Sequence, residues 1–255
     1  MNRSSLTSCV PMGWGRPVCR MAALACAGVC VGAWAAATDT GHQDAPDLKL
    51  TAGIYRYAHD EGKDLNLRWT QGDNHLWLGH YEDRGFGKQD RLGWDGSVAL
   101  ADGVALQPSL QAATGGFLGG SVNLQVGHDT YGVLGWGRTN LRPYFNLNFD
   151  PNDAITVGLG HNFDDGQVWS VTVIRDDRLH TGQTDRHLTG RVPVGADRLT
   201  LDLMYKTGQG DEGHVKGWGC SLTWDFPRWF LRLAHDPKQN FSSQNATRLS
   251  GGVRF

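Results

Sequence analysis

Arg175-Asp176-Asp177-Arg178-Leu179-His180 is the densest run of proton-moving groups in this 255-residue chain. Two carboxylates and an imidazole within five residues could hold a water and deprotonate it for hydrolysis. The flanking Arg175 and Arg178 work against that chemistry, because guanidinium groups neutralise the carboxylates a base needs free. A solvated salt-bridge cluster in a loop explains the run equally well. No second Asp/His pair complements it. Nucleophilic catalysis has the right residue types, with Ser170, Ser221 and Ser250 beside His80, His161 and His187. No His-x-Ser arrangement joins a nucleophile to a base, however. Zinc-type Cys/His spacing and a Gly-rich phosphate cradle are both missing. The chain therefore reads as a non-enzyme with no cofactor and no metal.

A second chemistry is electrostatic, and it depends on the elements that carry it. Helical periodicity is scarce. Segments of period two, separated by Gly/Asp/Asn clusters, predict fourteen strands. They run over 48–58, 64–70, 75–83, 89–100, 104–113, 116–126, 130–137, 154–162, 167–175, 185–192, 198–206, 214–224, 228–235 and 245–255. In 198–206, Leu199, Leu201, Leu203 and Tyr205 alternate with Thr200, Asp202, Met204 and Lys206. In 214–224, Trp218, Cys220, Leu222 and Trp224 alternate with Gly217, Gly219, Ser221 and Thr223. Connections alternate too. Short turns are expected at 71–74, 101–103, 127–129, 163–166, 194–197 and 225–227. Longer loops are expected at 59–63, 84–88, 138–153, 176–184, 207–213 and 236–244. The 114–115 link is short where the pattern asks for a long one. Segment 138–153, with Tyr144, Phe145, Leu147 and Phe149, is either one loop or a fifteenth strand.

The two ends of the chain speak to location. Arg16 and Arg20 precede the small, apolar stretch Met21 to Trp34, and Ala35-Ala36-Ala37 offers a cleavage site. This has the form of a secretory signal peptide over 1–37, with Met12 as a second possible start. Ala23-Leu24-Ala25-Cys26 lacks the bulky residue of a lipoprotein box. Four of the five cysteines lie in that leader, so Cys220 alone remains and no internal disulfide is expected. Three of 24 basic residues and none of the 26 acidic ones lie in the leader, which leaves the remainder at −5 and argues against nucleic acid as a partner. No stretch after the leader approaches the roughly 20 apolar residues of a spanning helix.

At the other end, Thr247, Leu249, Gly251, Val253 and Phe255 share one strand face, and Arg248, Ser250, Gly252 and Arg254 share the other. A final strand closing on an aromatic residue resembles that of bacterial outer-membrane β-barrels. Thirty-five Gly and ten Trp fit the same resemblance. It implies an all-β fold: a transmembrane, antiparallel, up-and-down barrel of about 14 strands, within 12–16. The barrel would occupy 48–255, with a periplasmic segment at 38–47. Phe255, Val253 and Leu249 would form the signal read by the barrel-assembly machinery. Trp69, Trp169, Trp218, Trp224 and Trp229 would form interfacial girdles. Outer-membrane lipids, lipopolysaccharide, periplasmic chaperones and small solutes become the expected partners. A soluble, secreted β-sandwich has the same periodicity with its faces reversed.

In such a barrel the polar face lines the interior. The expected pore-lining set is Arg68, Arg91, Asp95, Arg191, Asp202, Lys206, Arg232, Arg248 and Arg254, with Asp64 beside it and His187 undecided. The set is net basic in an acidic chain, and rings of Arg favour anions. It resembles the Arg-lined interior of small monomeric porins for acidic oligosaccharides. That resemblance implies passage of small hydrophilic, anionic solutes such as acidic saccharides. Two other readings stay open: a self-paired, non-conducting structural or adhesive barrel acting through its outer loops, and an accessory barrel for exopolysaccharide export.

Overall fold

A computed structural model describes residues 48–255 with the exception of Phe149; the expected leader and the 38–47 segment lie outside the described residues. The chain forms β1 (Leu48–Arg56), β2 (Glu61–Gln71), β3 (Asn74–Asp83), β4 (Gly87–Gly96), β5 (Val98–Ala101), β6 (Val104–Ala113), β7 (Phe117–Gly127) and β8 (Thr130–Thr139). It continues through β9 (Ala154–Asn162), β10 (Val168–Asp176), β11 (Thr184–Val194), β12 (Asp197–Gly210), β13 (Gly213–Asp225), β14 (Trp229–Asp236) and β15 (Ala246–Arg254). Each segment pairs antiparallel with its chain neighbours, except that β4 pairs with β6 rather than β5.

Closure occurs at two seams. Lys49 pairs with Arg254 as β1 meets β15, and the Leu48 and Phe255 backbones exchange hydrogen bonds of 3.0–3.1 Å. On the far side β4 pairs with β6, from Arg91 opposite Ala113 to Asp95 opposite Ser109. Val98 opposite Leu106 keeps the same register, so β5 is the continuation of β4 past Ser97. The result is a closed, antiparallel, 14-strand barrel. Closure matters because an open edge would leave a row of backbone groups unpaired, which a membrane interior cannot satisfy.

The orientation of the faces decides between the barrel and a sandwich. Most large aliphatic residues of the strands are exposed on the outer face. Leu78, Leu92, Leu110, Leu134, Leu159 and Leu233 all point outward with more than half or close to half of their surface free. The polar and charged strand residues Gln89, Arg91, Gln111, Asp185, Thr189 and Lys206 are buried on the inner face, beside aromatics such as Tyr55 and Tyr81. A sandwich would hide the leucines and expose the lysine. This polarity is the reverse, and only lipid stabilises it. Nine-residue strands follow a path of roughly 30 Å, which a tilt of about 40° turns into a wall tall enough for the apolar band.

Several expected boundaries need correction. The connections read as long loops at 59–63, 84–88 and 207–213 are tight. β1 and β2 are separated by residues 57–60, β3 and β4 by 84–86, and Gly210 pairs with Gly213 around Asp211-Glu212. Strand β12 runs four residues beyond the expected 206, because Thr207 and Gln209 continue the alternation in polar dress. Only 140–153, 177–183 and 237–245 are long. Segment 138–153 adds no fifteenth wall strand. The short 114–116 turn now has a reason: the long loop leans across it, with Asn140 Nδ2 donating to the Gly116 carbonyl at 2.7 Å.

Candidate functional site

The polar face encloses a lumen, and two loops from one end of the barrel fold into it. Loop 140–153 carries Tyr144, Asn146, Leu147, Asp150, Asn152 and Asp153, all buried. Its apolar side chains would be costly in water and find partners on the inner wall. Tyr144 stacks on Phe117 of β7 at 4.2 Å, and Phe145 stacks on Tyr81 of β3 at 4.5 Å. Tyr81 packs over Gly62, whose missing Cβ is required: one built there would lie 2.4 Å from the tyrosine oxygen. Gln89 of β4 clamps the loop backbone twice, donating to the Phe145 carbonyl at 3.0 Å and accepting its N–H at 2.8 Å. Gln111 of β6 donates to the Tyr144 hydroxyl.

On the opposite wall His187 of β11 bridges the loop to the strands. Its Nε2 lies 3.1 Å from Asp150, and its Nδ1 lies 3.1 Å from Asp202 of β12. Thr189 adds a 2.8 Å bond to Asp202. The second loop, 237–245, buries Gln239 and Phe241 in the same region. Asn240 donates to the Asn146 carbonyl at 3.1 Å, so the two inserted loops touch. Lys206 of β12, wholly buried, pairs with Asp236 at 2.8 Å and lies over the Phe241 ring. Asp185, opposite Lys206 in register, completes this group. The long-loop half of the lumen is thus filled by protein.

The expected pore-lining residues divide between two environments. Arg91, Lys206 and Arg248 belong to the filled half. Arg91 pairs with Asp64, Lys206 pairs with Asp236, and Arg248 faces Tyr55 and the Leu147 carbonyl at 3.4 Å each. Asp202 sits at mid-height on His187. Arg68, Asp95, Arg191, Arg232 and Arg254 lie toward the short-turn end. There Arg68 forms a bidentate pair with Asp95 at 2.6 and 2.9 Å, and His75 shares that carboxylate at 2.9 Å. Arg254 pairs with Asp225 at 2.5 Å. Lys49, beside Arg254 in register, lies over the Phe230 ring at 4.1 Å. Arg198 stands opposite Asp225 at the rim. Among the described inward strand positions of this half, the cations Lys49, Arg68, Arg191, Arg198, Arg232 and Arg254 outnumber the carboxylates Asp95 and Asp225.

Lys49, Arg198, Asp225 and Asp150 were absent from the expected set. Strand parity alone exposes the first three. A further signal was available: Tyr55, Tyr81, Phe117 and Tyr131 are large aromatics on the polar face, and they demand something inside the barrel to pack against.

The acidic run at 176–180 is structural. Asp176 accepts the N–H groups of Arg178, Leu179 and Thr181 at 2.8–3.1 Å, plus the Thr181 hydroxyl. Asp177 pairs with Arg138, and Arg178 pairs with Asp153 at 3.0 Å. His180 points to solvent. The three groups proposed for water activation do not converge. The tryptophans expected to form girdles all lie on the outer face. Trp69, Trp169, Trp224 and Trp229 are near the short turns, and Trp218 is in the long-loop half. Val253 and Leu249 also point outward, in the closing strand that Phe255 ends.

No protein-family model matches the chain, and no curated protein matches its sequence. Solved structures do match its fold. The outer membrane protein Omp33 of Acinetobacter baumannii superposes with a TM-score of 0.53 at 8% identity, covering 83% of this chain and 99% of its own. The NanC porin gives 0.46 at 10% identity over 82% and 100%, and OprD of Pseudomonas aeruginosa gives 0.42 at 10% over 83% and 93%. With its closed 14-strand wall and outward leucines, the chain has the fold of an outer-membrane β-barrel such as Omp33.

Proposed function

We propose that the protein is an outer-membrane channel for small hydrophilic anions, acidic saccharides among them, with loop 140–153 setting its aperture. One observation carries this reading: the excess of cations in the short-turn half of the lumen. Six inward Lys and Arg side chains face two carboxylates there, within a low-dielectric wall that focuses their field. Guanidinium forks suit carboxylate and sulfate-like groups. Conductance of the refolded mature protein in planar bilayers tests it. Steady openings with a reversal potential favouring chloride over potassium are expected, and cation preference would remove the proposal.

A second reading has its own observation. Both inserted loops are pinned to the wall by named bonds, and the filled half could close the barrel outright. The protein would then act as a structural or adhesive barrel through its long-loop end. A heat-modifiable, folded barrel that conducts nothing favours this reading.

A further inference from the structure

The outer surface is not uniform around its circumference. On β1–β4, near the long-loop end, outward charges alternate in sign and pair. Lys63, Glu82 and Lys88 follow one another across the strands, with Lys88 3.5 Å from Glu82. One row below, His80 lies 2.7 Å from Asp90. On β10–β13 the equivalent rows are different. Arg175, Thr184, Thr207 and Lys216 are successive cross-strand neighbours. The next row toward the barrel's middle is Val173, Arg186, Tyr205 and Trp218. Below that come Val171, Leu188, Leu203 and Cys220, all apolar in character.

Arg175, Arg186 and Lys216 are exposed, and no described residue forms an ion pair with them. With strands about 4.8 Å apart, all three lie within roughly 15 Å of one another. The two rows contain no carboxylate. The acids nearest along the strands are committed elsewhere: Asp176 caps its own loop, Asp177 pairs with Arg138, and Glu212 accepts from Ser243 at 3.0 Å. Asp211, in the turn above Lys216, is the exception. Trp218 is the most exposed large hydrophobic side chain among the described residues, at 71%, and it packs against Tyr205 at 4.8 Å. An amphipathic aromatic pair at the upper edge of an apolar band marks the depth where acyl chains give way to headgroups.

We propose that this face of β10–β13 is a site for a phosphorylated glycolipid of the outer leaflet. Arg175, Arg186 and Lys216 would hold the phosphates, and Trp218 and Tyr205 would lie along the first acyl carbons. Charge complementarity and depth select this occupant. Three unpaired cations with no carboxylate among them repel one another unless an anion neutralises them, and the leucines directly below require acyl chains. The site is on the outside of the wall and does not depend on whether the lumen conducts.

The test uses the full barrel in nanodiscs doped with bis-phosphorylated lipid A, with retained lipid counted by native mass spectrometry. The wild-type barrel is expected to retain lipid A at least about tenfold better than its fully dephosphorylated form. Combined Arg175→Gln, Arg186→Gln and Lys216→Gln substitution should abolish that preference. Arg56→Gln with Lys63→Gln and Lys88→Gln, on the β1–β4 side where Arg56 stands opposite Glu61 and Lys63 opposite Glu82, should leave it intact. Equal retention of the two lipids by the wild-type barrel overturns the proposal without any variant. So does an unchanged preference in the β10–β13 variant, or an equal loss in the β1–β4 variant. Heat-modifiable migration confirms that each variant is folded.

Discussion

Single residues show how the lumen is held. Asp150 is the loop's charged anchor on His187, and both imidazole nitrogens face carboxylates, an arrangement that a doubly protonated ring satisfies. Asp150→Asn should weaken loop 140–153 by about 2 kcal/mol, since a charge-assisted bond becomes a neutral one. The expected result is larger, noisier channel openings in bilayer recordings. Gly62→Ala acts on the opposite wall. Its new methyl would collide with the Tyr81 ring, and displacing that ring breaks the stack with Phe145. A loss of about 1–3 kcal/mol in barrel stability is expected in urea unfolding from lipid vesicles. Asp95→Asn would free Arg68 from its bidentate partner. The reversal potential should then move further toward chloride, with the channel's fold unchanged.

Asp60 gives a residue-scale pH effect outside the wall. Desolvation raises its pKa, but hydrogen bonds from the Glu61, Gly85 and Arg84 N–H groups together outweigh that and hold it below the ordinary aspartate value. The clamp between the β1–β2 and β3–β4 turns is therefore intact above the ordinary aspartate pKa. It is lost as pH falls through the lowered value. The Gly85 and Arg84 amide resonances should titrate together in that acidic range, and Asp60→Asn should abolish the titration.

At the scale of elements, loop 140–153 does what no strand could. It crosses the lumen because the 114–116 turn beside it is short and because three polar-face aromatics wait inside. Shortening the loop by removing residues 141–148 should raise single-channel conductance severalfold while leaving heat-modifiable migration intact, since no strand-to-strand hydrogen bond is removed. Unchanged conductance would mean that the aperture lies elsewhere, with the 237–245 loop next to test. The strands themselves were legible from alternation, and so were their number and the short turns. Their upper ends were not. Thr207 and Gln209 carry no apolar partner facing out, so period two loses its contrast where the wall leaves the apolar band.

On the scale of the whole molecule, closure depends on two seams that share no local sequence signal. Phe255 completes one of them with backbone bonds to Leu48. We propose that it also serves as the assembly signal, in which case deleting Phe255 should slow insertion into the outer membrane in cells. The two lost backbone bonds alone should change the unfolding midpoint of the purified barrel only slightly. A large fall in that midpoint would assign the residue a purely structural role.

The sequence by itself determined the wall. Alternation of apolar and polar residues, turn chemistry and a closing strand each act over a few residues, and a side chain's face in a strand follows from parity alone. Parity therefore placed Arg68, Arg191, Arg232 and Arg254 on one surface before any contact was known. It could not say what each would meet. Pairing of Arg91 with Asp64, burial of Lys206 against Asp236, and the seat of Asp150 on His187 join residues from 27 to 37 positions apart. They form only when the sheet curls shut and the long loops find the aromatics inside. Only the tertiary structure decided which charges remain available in the lumen, because that depends on packing across a closed ring rather than on spacing along the chain.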